Sequence, residues 1–481
     1  MRQPLRHYAL AGLLLALISY SCKKDRIAPV PPPGGLTITN ISDTSATASW
    51  TAVPNATAYY IYVAPDAGFK SSVTGSPFTV KQTTFNMAGL TPYQRYFVKV
   101  VAVINTVKSN PGTTDFTTLD ADNLIFVSSD DYSDYVTNNY TWHNFNLYAI
   151  HARDGSIAWT ITGSAGNQIV KDSIIYVMKS DGYLYALDMT GVVKWKFGLA
   201  LSSPIFSTIP LIKNGVLYIG DIEGRLWAVN TTDGSLKWYS SPIIYPSNSI
   251  DASPIINDSA TTLYITSDDG MVHSYDAATG TMKWSSLNTG NPIQSRPALY
   301  NNTVYAGCFS RMYAFDAQTG AYKWNSTDPH TTLNSSMAIS NNKALVGGDD
   351  GYFYSVNLAD GSLNWKKPLP LPGGITSSPI VTGGVIYVGS VGRVYALDET
   401  TGAVNWENDT VGDSSAVYSG PVVTDNYLYT GSVLGNFYQL DKKTGKILWT
   451  IHPLAASWHS SPCVVKYSGK VFYPGVSGMT Q

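Results

Sequence analysis

From about residue 119 onward, short apolar runs and turn residues recur in one fixed order. Leu147-Tyr148-Ala149-Ile150 is followed by Gly155 and Trp159, Leu184-Tyr185-Ala186-Leu187-Asp188 by Gly191 and Trp195, and Leu226-Trp227-Ala228-Val229-Asn230 by Gly234 and Trp238. The same order returns at Val272-His273-Ser274-Tyr275-Asp276 with Gly280 and Trp284, at Met312-Tyr313-Ala314-Phe315-Asp316 with Gly320 and Trp324, and at Phe353-Tyr354-Ser355-Val356-Asn357 with Gly361 and Trp365. It closes with Val394-Tyr395-Ala396-Leu397-Asp398, Gly402 and Trp406, and with Phe437-Tyr438-Gln439-Leu440-Asp441, Gly445 and Trp449. The Gly-to-Trp step is four residues in all eight copies, and Trp159 to Trp449 is 290 residues over seven intervals, a mean of about 41. Runs this short, bounded by Gly and Asp, predict strands, and this period predicts one four-stranded sheet per copy.

Each copy has a readable local logic. The Asp or Asn ahead of the turn can accept from backbone amides two residues on. The Gly permits a positive φ, so the hairpin closes with a bulge. Eight large indoles at equivalent places need burial, and in a ring each can pack on the next sheet. Upstream of the hairpins lies a second pair of strands. Examples are Ser203-Pro204-Ile205 with Gly215-Val216-Leu217-Tyr218-Ile219-Gly220, Ser253-Pro254-Ile255 with Leu263-Tyr264-Ile265, and Ser378-Pro379-Ile380 with Val385-Ile386-Tyr387-Val388-Gly389. The first hairpin lacks a Ser-Pro strand before it, and the C-terminal region supplies a spare one, Ser461-Pro462-Cys463-Val464-Val465, then Lys470-Val471-Phe472-Tyr473. These residues are expected to complete the first sheet and close the ring, which removes exposed edges. Leu124-Ile125-Phe126-Val127 is a competing occupant of one of those slots, so the seam is open by one strand.

Residues 36–118 carry a different strand pattern. Thr44-Ser45-Ala46-Thr47-Ala48-Ser49-Trp50 alternates, Ala58-Tyr59-Tyr60-Ile61-Tyr62-Val63 follows, and Gly89-Leu90-Thr91-Pro92 leads into Tyr96-Phe97-Val98-Lys99-Val100-Val101-Ala102-Val103. This region resembles a fibronectin type III domain, carried by Trp50, by Tyr60 or Tyr62, and by the Leu90-to-Tyr96 step. The resemblance implies a corner in which the Tyr hydroxyl bonds back to the backbone, and a spacer or adhesive role.

The N-terminus reads as an export signal. Arg2 and Arg6 precede an apolar run over residues 9–18, too short to span a bilayer, that ends in Ser19-Tyr20-Ser21-Cys22. This resembles the lipobox of bacterial lipoproteins, although Ser19 stands where Leu is usual. The resemblance implies cleavage and acylation at Cys22, while a plain secretory signal cut near Ser21 is the alternative. Residues 23–35, with Lys23-Lys24-Asp25 and a Pro/Gly stretch, are expected to be a linker.

Composition narrows the function. Charged residues are 13% of the chain and the net charge is −2, with no basic run, so no nucleic-acid partner is expected. Three cysteines, Cys22, Cys308 and Cys463, give neither a disulfide framework nor zinc spacing. Metalloprotease, nucleophile-elbow and phosphate-loop motifs are absent from the sequence. The acidic turns Ser180-Asp181-Gly182, Asp268-Asp269-Gly270 and Asp349-Asp350-Gly351 read as hairpin turns, because paired carboxylates fall short of calcium's six or more oxygens.

The repeat, with Tyr395-Ala396-Leu397-Asp398 to Trp406 as its clearest copy, resembles the quinoprotein-type, tryptophan-docked propeller repeat. The whole chain is thus expected to be all-β: a fibronectin type III-like sandwich over residues 36–118, then an eight-bladed β-propeller over 119–481. The resemblance implies two functional branches. One is pyrroloquinoline quinone- and calcium-dependent dehydrogenases, which stack the quinone on a Trp and a disulfide of adjacent cysteines. The other is envelope scaffold lipoproteins without a catalytic site. Lacking adjacent cysteines, this chain is expected in the second branch: a non-enzymatic binding protein without cofactor or metal, monomeric, exported and anchored to the outer membrane through Cys22, periplasmic or surface-facing. A candidate binding rim is formed by Tyr245, Asp251, Gln294, Arg296, His330, Tyr418, Trp458 and His459, with the stretches 240–252 and 409–419. Aromatic groups beside amides and a lone Arg suit a protein or a glycan partner.

Overall fold

A computed structural model describes residues 29–119, 122–129, 146–163, 166–199, 208–241, 249–309, 311–333, 335–369, 374–409, 411, 417, 419–452 and 460–473. Every regular element among them is a β-strand, and the chain divides after Leu119 into two compact units. Residues 1–28, on which the expected export signal and Cys22 fall, lie outside the described residues.

The first unit is a two-sheet sandwich. One sheet runs Thr37–Thr39, Ser45–Ser49, Thr84–Ala88, and the other runs Phe78–Val80, Ala58–Ala64, Arg95–Ile104, Val107–Lys108, with Gly112–Thr117 also on Arg95–Ile104. Alternation decides which side chains fill the core: Ala46, Ala48, Tyr59, Ile61, Val63, Val98 and Val100 point inward. Trp50 stands just past its strand and meets Tyr59 edge-on at 5.3 Å. Tyr60 and Tyr62 face outward, where Lys108 and Lys99 cover their rings. The Thr91 amide donates to the Tyr96 hydroxyl at 2.9 Å, which makes the expected corner. Part of the expected linker belongs to this unit: Val30 is buried in its core and the Gly34 carbonyl accepts from the Thr51 amide.

The second unit, among the described residues, consists of eight antiparallel sheets, seven four-stranded and one five-stranded. We number them 1 to 8 by their Trp, from Trp159 to Trp449. Sheet 4 is typical, with Ile255–Ile256 innermost, then Thr262–Thr266, Val272–Asp276 and the outer Met282–Ser285. In every sheet the register slips by one residue between the third and outer strands, so a small or slender residue faces each Trp, as Ala228 faces Trp238 and Ser274 faces Trp284. This is the bulge that the Gly permits.

Adjacent sheets share cores. Tyr218 and Leu226 of sheet 3 pack with Leu263 and Tyr275 of sheet 4. The indoles act at the same boundaries. The ring of Trp238 lies under Gly280 of sheet 4, and its Nε1 donates to the Ala277 carbonyl at 3.1 Å. Trp159, Trp195, Trp284, Trp406 and Trp449 donate likewise to Met189, Thr231, Ala317, Lys442 and Ala152. The ring of Trp324 sits under Gly361 and that of Trp365 under Gly402. The Trp449–Ala152 contact joins sheet 8 to sheet 1, so the series returns on itself. Trp238 alone of the eight is buried, and the other seven are half-buried.

The seam is settled by sheet 1. Asp122–Ser129 takes the second slot, Cys463–Lys466 the inner one, and Val471–Phe472 adds a fifth strand beyond it. Both competing segments therefore belong to one sheet. Ser203-Pro204-Ile205, expected as the inner strand of sheet 3, lies outside the described residues, and Leu211–Lys213 holds that place. The preceding Ile209-Pro210 shows that the Ser-Pro pair is not required there.

A buried polar network holds the seam. The Asp122 carboxylate accepts from the Thr424 hydroxyl at 2.7 Å and the Tyr429 hydroxyl at 2.8 Å, while Lys466 Nζ sits 4.0 Å from Asp122 and 2.7 Å from Asp425. Burial raises the Asp122 carboxyl to about 6, against the opposing pull of those hydroxyls and of Lys466.

Candidate functional site

Inner strands of neighbouring sheets lie against one another, as Ile169–Lys171 does with Cys463–Lys466 and Ala298–Tyr300 with Ala338–Ser340. Two residues ahead of each contact between the first and second strands stand Asn167, Ile209, Ser253, Arg296, Ser336, Ser378, Gly420 and Ser461. Four hydrogen bonds run between members in neighbouring sheets. The amide of Ile209 donates to Ser253 Oγ at 2.7 Å, Ser336 to Ser378 Oγ at 3.1 Å, Gly420 to Ser461 Oγ at 3.0 Å and Ser461 to Asn167 Oδ1 at 2.9 Å. Gln168 adds bonds from its amide to the carbonyls of Phe126 and Ser461. These short polar side chains are explained by cohesion: each satisfies a backbone group that the short inner strands leave without a ladder partner. Tyr473, just past the fifth strand of sheet 1, donates its hydroxyl to the Val170 carbonyl.

Part of the expected rim comes together beside this ring. Half-buried Asp251 accepts from the Ser249 hydroxyl, and exposed Gln294 stands near the Asp268 carboxylate. Burial, and next the Asp251 charge, hold Asp268 above the usual carboxylate range. Half-buried Arg296 follows Gln294 by two residues and lines, with Ser253 and Tyr473, a small cavity of about 10 Å³, room for about one water. His330 is exposed, and no hydrogen bond or ion pair among the described residues joins it to this cluster. Tyr245, Tyr418, Trp458 and His459 lie outside the described residues. Asp268 itself was read only as a turn residue, and its desolvation has no signature in the sequence.

One arrangement has the look of catalytic machinery. His273 Nδ1 lies 2.8 Å from Ser285 Oγ and Nε2 lies 2.9 Å from Asp269 Oδ2. The repeat explains it. At the same two places Tyr185 bonds Asp181 at 2.7 Å and Tyr354 bonds Asp350, while in sheet 3 Trp227 bonds Asp221, six residues earlier, at 2.7 Å. An acidic turn residue locking a third-strand ring is thus a device of the sheets, with His in sheet 4 as the ring. Among the described residues no group of three or more His, Cys, Asp and Glu is placed to hold a metal. Cys308 and Cys463 are each buried, in sheets 5 and 1, so they do not fit the adjacent-cysteine clamp that a quinone would need.

A family model described as outer membrane protein assembly factor BamB matches residues 143–243, 247–451 and 390–473. The chain belongs to this BamB family. A fibronectin type III model matches residues 31–115. The chain is 29% identical over 153 residues to BamB of Yersinia pestis, which covers 29% of this chain and 38% of that protein. It is 23% identical over 425 residues to tetrathionate hydrolase of Acidithiobacillus ferrooxidans, covering 75% and 74%. Among solved structures, BamB from Moraxella catarrhalis aligns with a TM-score of 0.50 at 22% identity over 60% of this chain and 88% of that one. A europium-containing methanol dehydrogenase aligns at 0.55 and 15% identity, over 66% and 84%. These likenesses make the second unit a BamB-type β-propeller, a shape shared by scaffolds and enzymes.

Proposed function

We propose that the eight sheets are the eight blades of one closed wheel, and that the protein is a non-catalytic scaffold of the cell envelope. In this reading it is exported, held at the outer membrane by a lipid on Cys22, and offers the propeller rim to a protein partner. The observation that carries the reading is the axial ring. Its serines and Asn167 are engaged in sheet-to-sheet hydrogen bonds, so the polar groups at the centre serve cohesion and recognition falls to the rim around Asp251 and Gln294. BamB relatives support an envelope assembly role.

Cross-linking of the full chain in intact envelopes, followed by the same experiment with Asp251→Ala/Gln294→Ala, tests this. A protein adduct lost in the double variant, at unchanged melting temperature, is the expected result. Equal adducts in both would remove the rim from the reading, and a glycan array separates a carbohydrate ligand from a protein one. Fractionation of Cys22→Ser should move the protein from membrane to soluble fractions. The breadth of the tetrathionate hydrolase match favours an enzyme as the second reading. Turnover of tetrathionate, or dye reduction with added quinone and calcium, would overturn the scaffold.

A further inference from the structure

The two outward faces of the first unit differ in chemistry. On the sheet built around Ser45–Ser49 the outward side chains are Ser45, Thr47 and Ser49, with Thr84 and Asn86 beside them, none aromatic or charged. The other sheet turns out Tyr60 and Tyr62 on Ala58–Ala64, and Arg95, Phe97 and Lys99 on Arg95–Ile104. Register draws these into a file. Arg95, Phe97 and Lys99 stand at alternate positions, Tyr60 is opposite Val101, and Lys108 is opposite Val103. Cation and ring therefore alternate, with successive cations about 13 Å apart along the strand.

Each cation rests on a ring. The Arg95 guanidinium carbon lies 5.1 Å from the centroid of Phe97, Lys99 Nζ lies 4.5 Å from that of Tyr62 and 4.4 Å from that of Phe69, and Lys108 Nζ lies 4.9 Å from that of Tyr60. The rings are half-buried, and Arg95 and Lys108 are exposed. Asp115 pairs with Arg95 at 2.9 Å, but neither lysine has a carboxylate partner among the described residues. Half-exposed rings interleaved with ammonium groups suit the boundary where acyl chains meet anionic headgroups, because the rings take the apolar side and the cations the charged one. The charge of the chain is also divided unevenly. Residues 29–119 carry five basic side chains against three acidic ones, whereas residues 120–481 carry 21 against 29. An anionic surface thus attracts the first unit and repels the second.

We propose that this face of the fibronectin-like unit docks on an anionic lipid surface, with Arg95, Lys99 and Lys108 over the headgroups and Tyr60, Tyr62 and Phe97 at the boundary beneath them. The tether brings the face within reach. Val30, buried in the core of the unit, is eight residues beyond Cys22, a span of about 28 Å at full extension. The segment then passes the edge strand Gly112–Thr117 of the cationic sheet, where a Cβ added to Gly112 would fall 2.5 Å from the Pro33 carbonyl oxygen. Proximity to the membrane rests on the Cys22 anchor proposed above, but affinity for the headgroups does not. Three cations give a weak contact that salt releases, so they orient a tethered chain and do not replace its anchor.

The test uses the full mature chain carrying Cys22→Ser, so that no acyl group contributes, and sediments it at low ionic strength with vesicles of phosphatidylcholine alone or mixed with phosphatidylglycerol. It should co-sediment with the mixed vesicles only, and added sodium chloride should release it. Lys99→Gln/Lys108→Gln should weaken partition about tenfold or more at unchanged melting temperature, since two cations have left the surface. Lys99→Arg/Lys108→Arg should retain it. Lys237→Gln/Lys443→Gln makes the same charge change at exposed positions of the second unit and should leave partition as it was. No co-sedimentation with mixed vesicles, or an equal loss in the two glutamine variants, would overturn the docking face. Capture by soluble polygalacturonate in place of the vesicles would overturn the lipid assignment. Because the acyl group is absent throughout, these outcomes are separate from the fractionation that tests the Cys22 anchor.

Discussion

Gly280 offers the sharpest test of how the sheets are joined. It sits at φ +73°, and a Cβ added there would fall 2.4 Å from Cε3 of Trp238. Two penalties follow for Gly280→Ala. Holding an L-residue in the left-handed region costs about 1–2 kcal/mol. Forcing a methyl group into a filled boundary costs about a further 1–3 kcal/mol. Gly290, in the loop after the outer strand of the same sheet, separates the two: its φ is +84°, yet an added Cβ meets nothing within 4 Å. Gly290→Ala should therefore carry only the backbone share. Urea unfolding followed by tryptophan fluorescence reads the difference as a shift of midpoint at constant slope. A third variant closes the cycle. With Trp238→Leu in place the clash partner is gone, so Gly280→Ala should cost no more than Gly290→Ala, a coupling of about 1–3 kcal/mol. If Gly280→Ala costs the same with and without the indole, the ring is not wedged against the neighbouring turn and the docking argument fails.

Three further outcomes are expected. Asp122 has its folded pKa raised from 3.8 to about 6, so its contribution to stability is full below about pH 4 and is lost as pH rises through 6, amounting to about 3 kcal/mol. Urea midpoints of Asp122→Asn compared with wild type between pH 4.5 and 7.5 should show this slope only in the wild type, and parallel curves would refute it. His273→Tyr restores the ring found at the equivalent places in sheets 2 and 6 and should change stability by less than about 1 kcal/mol, whereas His273→Ala strands the buried Asp269 carboxylate and should cost about 2–3 kcal/mol in the same assay. Burial pushes the Cys463 thiol well above its ordinary pKa, so a maleimide should label it only after denaturation, and rapid native labelling in a Cys22→Ser/Cys308→Ser background would contradict its place in the seam sheet.

The sheets were legible because their signals are local. Gly280 and Trp284 are four residues apart, and the bulge they enforce depends on nothing distant. The partner of Trp238, by contrast, lies in the next copy, and only the constancy of the repeat made that contact readable. The tyrosines of the second strands escaped notice, although Tyr218 stands 5.9 Å from Trp238 and Tyr264 stands 5.8 Å from Trp284, because their cross-strand register is fixed by the third strand between them. The seam was harder still. Asp122 and Lys466 are separated by nearly the whole propeller, and a Lys ending an apolar run reads as a solvated strand end until Asp425 and Asp122 are seen around it. At the candidate site, Asp251, Gln294 and Arg296 were singled out by residue type alone. What the sequence does offer for Arg296 is alignment: Arg296-Pro297 occupies the slot of Ser253-Pro254, Ser378-Pro379 and Ser461-Pro462.

The seam also sets an order of assembly. Because Cys463–Lys466 fills the inner slot beside Asp122–Ser129, the sheet that emerges first from the ribosome keeps a bare strand edge until the remaining seven have been synthesised. The first sheet therefore cannot be completed before the last is made, and a truncation shortly before residue 463 would leave Asp122–Ser129 with an unpaired edge.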